Sequence, residues 1–157
     1  MQQIATTLGS SGKQLTVAES CTGGWLAKTL TDLPGSSAWF EYGFTTYGDN
    51  AKADLLGVAD GLLETFGAVS KEVAEAMAMG ALNRSGADFA VAVTGIAGPD
   101  GGTEDKPVGT VWFAWAAKDI GLHSATQCFS GDRNAVREQT VAAALQGLLP
   151  MLGDPGT

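Results

Sequence analysis

The sequence holds one histidine, His123, and that scarcity removes more chemistry than any other feature of its composition. Zinc hydrolase sites draw on two or three imidazoles, so histidine-based zinc catalysis is excluded. A Ser-His-Asp triad would have to use His123, which lies in a segment that reads as an ordinary strand, so a hydrolase built on this chain needs another base. Cysteine is nearly as scarce. Cys21 and Cys128 lie far apart and supply neither a disulfide framework nor a Cys-rich metal site, which suits a reducing, cytoplasmic setting. Basic residues are outnumbered, 9 Lys and Arg against 17 Asp and Glu, and they form no contiguous stripe. The net charge of −8 therefore argues against a nucleic-acid partner. A small phosphorylated ligand stays compatible, because a few well-placed bases and backbone N–H groups can bind one phosphate. No apolar run approaches the roughly eighteen residues of a membrane span, and no signal-peptide pattern opens the chain, so no membrane partner is expected.

What remains is a chain that buries a core. Its 157 residues predict a single domain over 1–157, and 45% hydrophobic against 17% charged residues is a folded composition. The 22 glycines are about twice the usual share of roughly 7% but lack a three-residue period, so they serve turns and close backbone approaches. Neither an internal repeat nor a linker is evident.

Ile4, Ala5 and Leu8 recur at helical spacing before the break at 9–12, and Leu15 to Ala18 reads as a buried strand. Glu19-Ser20-Cys21-Thr22-Gly23-Gly24 then leads into a helical pattern at Trp25, Leu26, Thr29, Leu30 and Leu33, closed by Pro34-Gly35. A strand, a tight turn and a helix N-terminus place free N–H groups at a strand's C-terminal end, where sites form in open α/β sheets. Trp39 to Tyr47 predicts a strand in which Gly43 marks a bulge or a close backbone approach. Short helices follow at 50–56 and 60–66, and Ser70 caps a longer one to about Ser85 whose buried face carries Val73, Ala74, Met77, Ala81 and Leu82. Phe89 to Val93 is an apolar strand opening into the glycine-rich loop Thr94 to Gly102. Thr110 to Ala117 and His123 to Phe129 predict a hairpin, residues 132–149 a closing helix, and 153–157 a frayed tail. The expected fold is a three-layer α/β/α sandwich with a mixed, mostly parallel five-stranded sheet.

Several residues carry two readings. Ser20 at the strand-to-helix turn is either a nucleophile beside oxyanion-stabilising N–H groups or, with Thr22, an ordinary helix cap. Lys52, five residues after Tyr47, is either a desolvated base of the Ser-Lys kind, oriented or relayed by Tyr47, or a solvated helix lysine. Cys21 is either a thiol nucleophile at a helix N-terminus or a core residue. Arg133 and Arg137, spaced i, i+4 at the start of the last helix, gain nothing from its dipole and fit a ligand phosphate or carboxylate as well as a surface position. The 94–102 loop is neither a Walker-type loop nor a dinucleotide fingerprint. Asp100, Glu104 and Asp105 suit magnesium less well than a solvated loop, so no metal and no cofactor is expected.

The segments AESCTGG at 18–24, GSSAWFEYGFTTYGDNAK at 35–52, GAVS at 67–70, TGIAGPDGG at 94–102, KPVGTVWFA at 106–114 and CFSGDRNAVR at 128–137 resemble, in order, the C-terminal domain of the CinA competence/damage-inducible family. The resemblance implies an α/β/α homodimer that deamidates nicotinamide mononucleotide to the carboxylate and ammonia, without the N-terminal molybdopterin-binding-like domain of fuller members. It implies Ser20 as nucleophile, Lys52 as base and Tyr47 as the third catalytic member. Cys21, Thr22 and Gly23 are then expected around the oxyanion, Thr94, Gly95, Ile96, Ala97 and Gly98 around the nucleotide, and Arg133 with Arg137 at its phosphate. The alternatives are a non-catalytic nucleotide-binding or competence-related module and an amidase for another small carboxamide.

Overall fold

In the computed structural model, which describes residues 1–153, five strands form one sheet. They are β1 (Leu15–Glu19), β2 (Phe40–Thr45), β3 (Phe89–Gly95), β4 (Thr110–Ala117) and β5 (Gly121–Cys128), in the spatial order β2-β1-β3-β4-β5. β1 pairs in parallel with β2 and β3, while the β3–β4 and β4–β5 ladders are antiparallel. Strand direction is thus mostly parallel, with β4 alone reversed, although only two of the four ladders are. Six helices flank the sheet: α1 (Gln2–Ser11), α2 (Trp25–Thr31), α3 (Asp49–Leu56), α4 (Asp60–Phe66), α5 (Lys71–Ser85) and α6 (Arg133–Leu152).

Period-two alternation sorts the strand side chains into two unlike cores. Leu15 and Val17, Val91 and Val93, and Phe113 and Trp115 face α1, α2 and α6, meeting Ile4, Leu8, Leu26, Leu30 and Leu148. Ala18, Ala90, Ala92, Ala114 and Ala116 face the other way, onto Val73, Ala74, Met77, Ala78 and Ala81 of α5 and onto Leu56 of α3. Small residues on both sides of that second interface draw α5 close to the sheet. Gly80 extends the same economy outward, since a Cβ there would collide with the Leu56 carbonyl oxygen of α3.

Several expected boundaries move. The second strand begins at Phe40 because Trp39, buried, ends a short 3-10 turn at Ser36–Ala38. Of the two roles expected of Gly43 the structure shows the first: the β1–β2 register is irregular beside it, while the close neighbours are side chains rather than backbone, a Cβ lying 3.2 Å from Phe40 Cζ and 3.3 Å from the Cβ of Ala27. The last helix runs beyond 149 through Pro150, which can continue it only by omitting one backbone donor; Met151 and Leu152 packing against the core hold those final turns. Of the tail expected to fray at 153–157, all but Gly153 lies outside the described residues.

Connections fix where a site can form. From β1 the chain crosses by α2 to β2 on one side; from β3 it passes to β4 on the other. The crevice beyond the carboxyl ends of β1 and β3 is therefore a topological switch point. α3, which follows β2 and rests on Gly80, borders this crevice. Gly80→Ala should force α3 outward at an overpacking cost of about 1–3 kcal/mol, seen as a thermal midpoint lower by several degrees; an unchanged midpoint would mean that α3 yields freely and that Gly80 does not seat it.

Candidate active site

Ser20 stands one residue beyond β1, and its N–H donates to the Val93 carbonyl at 3.0 Å, extending the β1–β3 ladder by one residue. The chain then reverses through Gly23 (φ +60°) and Gly24 (φ +101°), left-handed conformations that suit glycine. Gly24 offers no capping side chain to α2. Instead the buried Glu19 carboxylate accepts the Leu26 and Ala27 amides at 2.7 and 3.0 Å and the Thr22 hydroxyl at 2.6 Å. An acid at the end of an apolar strand thus caps the next helix and complements its positive N-terminus. Ser20 is released from capping duty, so the plain N-cap reading does not describe it.

Lys52, in the middle of α3, is only 1% exposed and yet has no carboxylate within ion-pair distance among the described residues. Its Nζ donates to Ser20 Oγ at 3.0 Å, to the Thr46 carbonyl at 2.8 Å and to the Tyr47 carbonyl at 3.1 Å. Ser20 Oγ in turn donates to the Tyr47 carbonyl at 3.4 Å. Burial pushes the Lys52 ammonium below the usual lysine range, with Asp49 pulling the other way. Three acceptors saturate an ammonium. On losing one proton the amine keeps two N–H groups for the two carbonyls, and its lone pair falls on the side of Ser20 Oγ.

These groups open into a cavity of about 290 Å³. Cys21 and the strand-end loop Thr94, Gly95, Ile96, Ala97 and Gly98 line it with Ser20, Tyr47, Lys52 and Arg133. Thr94 ties one wall down by donating to the Ala68 carbonyl at 2.9 Å. Gly95 leaves room because a Cβ there would lie 2.7 Å from Val111 and 3.2 Å from the Cys21 sulfur. Ala68, Val69 and Gly101 also face the cavity without having been expected there, as does Asp100, which the sequence reading weighed only for magnesium. Thr22, Gly23 and Arg137 border a different hollow, on the outer side of the 20–24 loop with Gly24, Trp25 and Lys28.

The two arginines part company despite their helical spacing. Arg133 donates to the Tyr47 hydroxyl at 2.9 Å and to the Gly98 carbonyl at 2.8 Å, bridging the cavity mouth. Arg137 donates from Nε to the Cys21 carbonyl at 3.1 Å and from Nη2 to the Thr22 carbonyl at 3.0 Å, and it lies over the Trp25 ring. Tyr47 is present in two capacities, its exposed phenol on Arg133 and its main-chain carbonyl on Ser20 and Lys52.

Burial pushes the Cys21 thiol up to about 11, so at neutral pH it is a protonated core group rather than a nucleophile. His123 stacks on Trp115 with ring centroids 5.8 Å apart, on β5 at the sheet edge. Among the described residues no three His, Cys, Asp or Glu side chains gather as a metal group, and no helix is long and apolar enough to cross a membrane.

Glu19 was missed because a residue type says nothing of which backbone amides will face it; its signal was a charge inside a buried apolar run. Glu19→Gln exchanges an acceptor-only group for one that turns N–H toward N–H, and should cost about 2–3 kcal/mol given the strength of hydrogen bonds to charged groups. Urea unfolding measures it, and a loss below about 0.5 kcal/mol, the range of ordinary surface substitutions, would show that α2 needs no such cap.

The family model described as the CinA C-terminal domain matches residues 1–152. The nicotinamide-nucleotide amidohydrolase PncC of Escherichia coli K12 is 56% identical over 148 residues, covering 94% of this chain and 89% of the relative. The protein of the same name from Pseudomonas putida is 55% identical over 152 residues, covering 94% of each. Among solved structures, the competence/damage inducible protein CihA from Agrobacterium tumefaciens superposes with a TM-score of 0.95 at 46% identity, covering 97% of this chain and 93% of that one. With the match spanning both glycine-rich turns, Lys52 and the start of α6, this chain belongs to the CinA C-terminal domain family.

Proposed function

We propose that this chain is an amidohydrolase that converts nicotinamide mononucleotide to nicotinate mononucleotide and ammonia through a serine acyl-enzyme. The single observation that carries the mechanism is the buried Lys52 amine, unpaired with any acid and 3.0 Å from Ser20 Oγ at the floor of a cavity. The substrate class follows from the two PncC amidohydrolases, more than half identical over nearly the whole chain.

In this reading neutral Lys52 takes the Ser20 proton as Oγ bonds to the carboxamide carbon. The oxygen gains negative charge facing the turn after Ser20. There the amides of Ser20, Gly23 and Trp25 are already spent on backbone carbonyls, whereas those of Cys21, Thr22 and Gly24 have no backbone acceptor among the described residues, and Cys21 and Thr22 are the nearer to Ser20 in the chain. These two are the candidate oxyanion donors. Lys52 returns the proton to the amide nitrogen, and the C–N bond breaks to release ammonia. Water then attacks the ester, giving one proton to Lys52, which passes it to Ser20 Oγ as the acyl C–O bond breaks; the product acid gives up its remaining proton and leaves as the carboxylate. The Thr46 and Tyr47 carbonyls hold the amine throughout.

Arg133 suits the phosphate because its partners, a phenol and a carbonyl, are neutral and leave its charge unbalanced. A phosphate entering at the cavity mouth would meet that charge. Arg137 points to the other side of the loop and is not needed there.

Ammonia release from nicotinamide mononucleotide by wild type and Ser20→Ala, without added metal, tests the reading. Release by wild type alone is expected, with Ser20→Ala reduced at least about a thousandfold while still binding the nucleotide. Equal release by both removes Ser20 from the mechanism, and no release by either redirects the search to other small carboxamides. Lys52→Arg should be as inactive as Ser20→Ala, since a guanidinium keeps its proton.

The pH profile gives a separate check. Because the reactive form of Lys52 is the neutral one, kcat/KM should rise with pH and level off below the ordinary lysine value of 10.5. The unfolded chain binds that proton more tightly, so folding stability also rises with pH across the interval between the depressed value and 10.5. The Asp49 carboxylate opposes the depression, and Asp49→Asn should shift the rise in kcat/KM to lower pH. A shift to higher pH would contradict Lys52 as the titrating base.

A further inference from the structure

The sequence suggests Arg137 as a phosphate ligand, and its geometry gives it different work. Peptide planarity sets C=O and N–H on opposite sides of each unit. Arg137 holds the Cys21 carbonyl with Nε and the Thr22 carbonyl with Nη2, two successive carbonyls drawn to the outer face of the 20–24 loop. The N–H paired with the Cys21 carbonyl belongs to Thr22, so it points away from Arg137, to the opposite side of the loop. The N–H paired with the Thr22 carbonyl belongs to Gly23, and it does point inward, donating to the Ser20 carbonyl at 3.0 Å.

We infer that Arg137 is a positioning residue whose two-pronged grip on the Cys21 and Thr22 carbonyls aims the Thr22 amide at the oxyanion of the Ser20 reaction. The inference rests on the reading of Ser20 as nucleophile and extends it to a residue on the far side of the loop. Gly23 takes part because a Cβ there would lie 3.3 Å from Arg137 Nη2, so a bare glycine lets the guanidinium lie against the turn. Trp25 supports the other face of the same guanidinium, 5.5 Å from ring centroid to Cζ. A planar fork fixes both the reach and the direction of its grip on two neighbouring carbonyls; a lysine can touch two, as Lys52 does, but imposes no such plane. A cation near the N-terminus of α6 has no dipole incentive to stay there, and these two carbonyls supply the missing reason. Its charge also reaches the reaction side of the loop, being one of those that oppose the rise of the Cys21 thiol.

Arg137→Gln and Arg137→Lys, with Arg133→Gln for comparison, separate positioning from phosphate binding. With nicotinamide mononucleotide, the Arg137 variants should lose about ten- to a hundredfold in kcat, part of the effect of an oxyanion donor, with KM within about twofold and an unchanged pH midpoint. Arg133→Gln should instead raise KM. A second readout needs no amide substrate: phosphonylation of Ser20 by an alkyl fluorophosphonate, in which Oγ attacks phosphorus while Lys52 takes its proton, fluoride leaves, and the phosphoryl oxygen, which gains negative charge in the transition state, sits where the oxyanion would. Its rate should fall by a similar factor in both Arg137 variants, with Lys the milder. Slower phosphonylation with no turnover of the nucleotide by wild type would overturn the substrate and keep the positioning role. A raised KM with unchanged kcat, or phosphonylation at the wild-type rate in a folded Arg137→Lys, overturns the inference.

Discussion

A buried lysine without a counter-ion is the constraint around which the rest of this structure is arranged. Removing an ammonium from water is expensive unless its protons are satisfied, and here two strand-end carbonyls and one hydroxyl satisfy them without a carboxylate. A carboxylate partner would have solved the solvation problem and fixed the proton in place. Carbonyls solve half of it: they orient the amine but stabilise its charge less, so the proton is easier to remove. That arrangement needs Thr46 and Tyr47 at a strand's end, where carbonyls are free of a ladder, and a helix close enough to deliver Lys52 to them. Gly80 and the alanine-lined face of the sheet provide the second condition.

The loop carrying Ser20 is held by charge from two directions. From within, Glu19 gathers the first amides of α2 and the Thr22 hydroxyl; from outside, Arg137 gathers the carbonyls of Cys21 and Thr22. The acid takes donors and the base takes acceptors, so the two sort the peptide dipoles of one short turn. A loop with two consecutive left-handed glycines has backbone freedom to spare, and this sorting removes it. Neither residue needs to touch a ligand to matter.

The fold was legible because its signals are local. Leu15 to Ala18 and Phe89 to Val93 are apolar runs between glycine-rich turns, and Ser70 opens α5 in the expected way, its hydroxyl accepting from the Val73 amide. The meeting of Ser20 with Lys52, 32 residues on, was not readable from spacing; resemblance to a family supplied the pairing, and the geometry then supplied its physical content. Much of the remaining site is backbone. Tyr47 meets the amine through its carbonyl, which any residue type would possess, while its phenol turns to Arg133. Likewise i, i+4 spacing puts Arg133 and Arg137 on one helix face but cannot show that a loop tip passes between them.

Charge at the scale of the whole molecule bears on turnover in the proposed reaction. At physiological ionic strength the field of a surface with net charge −8 is screened beyond about 8 Å, so long-range repulsion of a mononucleotide is weak and capture falls to the local field of Arg133. Hydrolysis then replaces a neutral carboxamide by a carboxylate beside Ser20. The new charge favours the protonated form of Lys52, which switches off the base that would attack through Ser20 again. It also adds one negative charge to a ligand already held in an acidic protein. By linkage the protonated amine attracts the product carboxylate in return, so the same desolvated lysine that starts the reaction is reset only when the carboxylate has left.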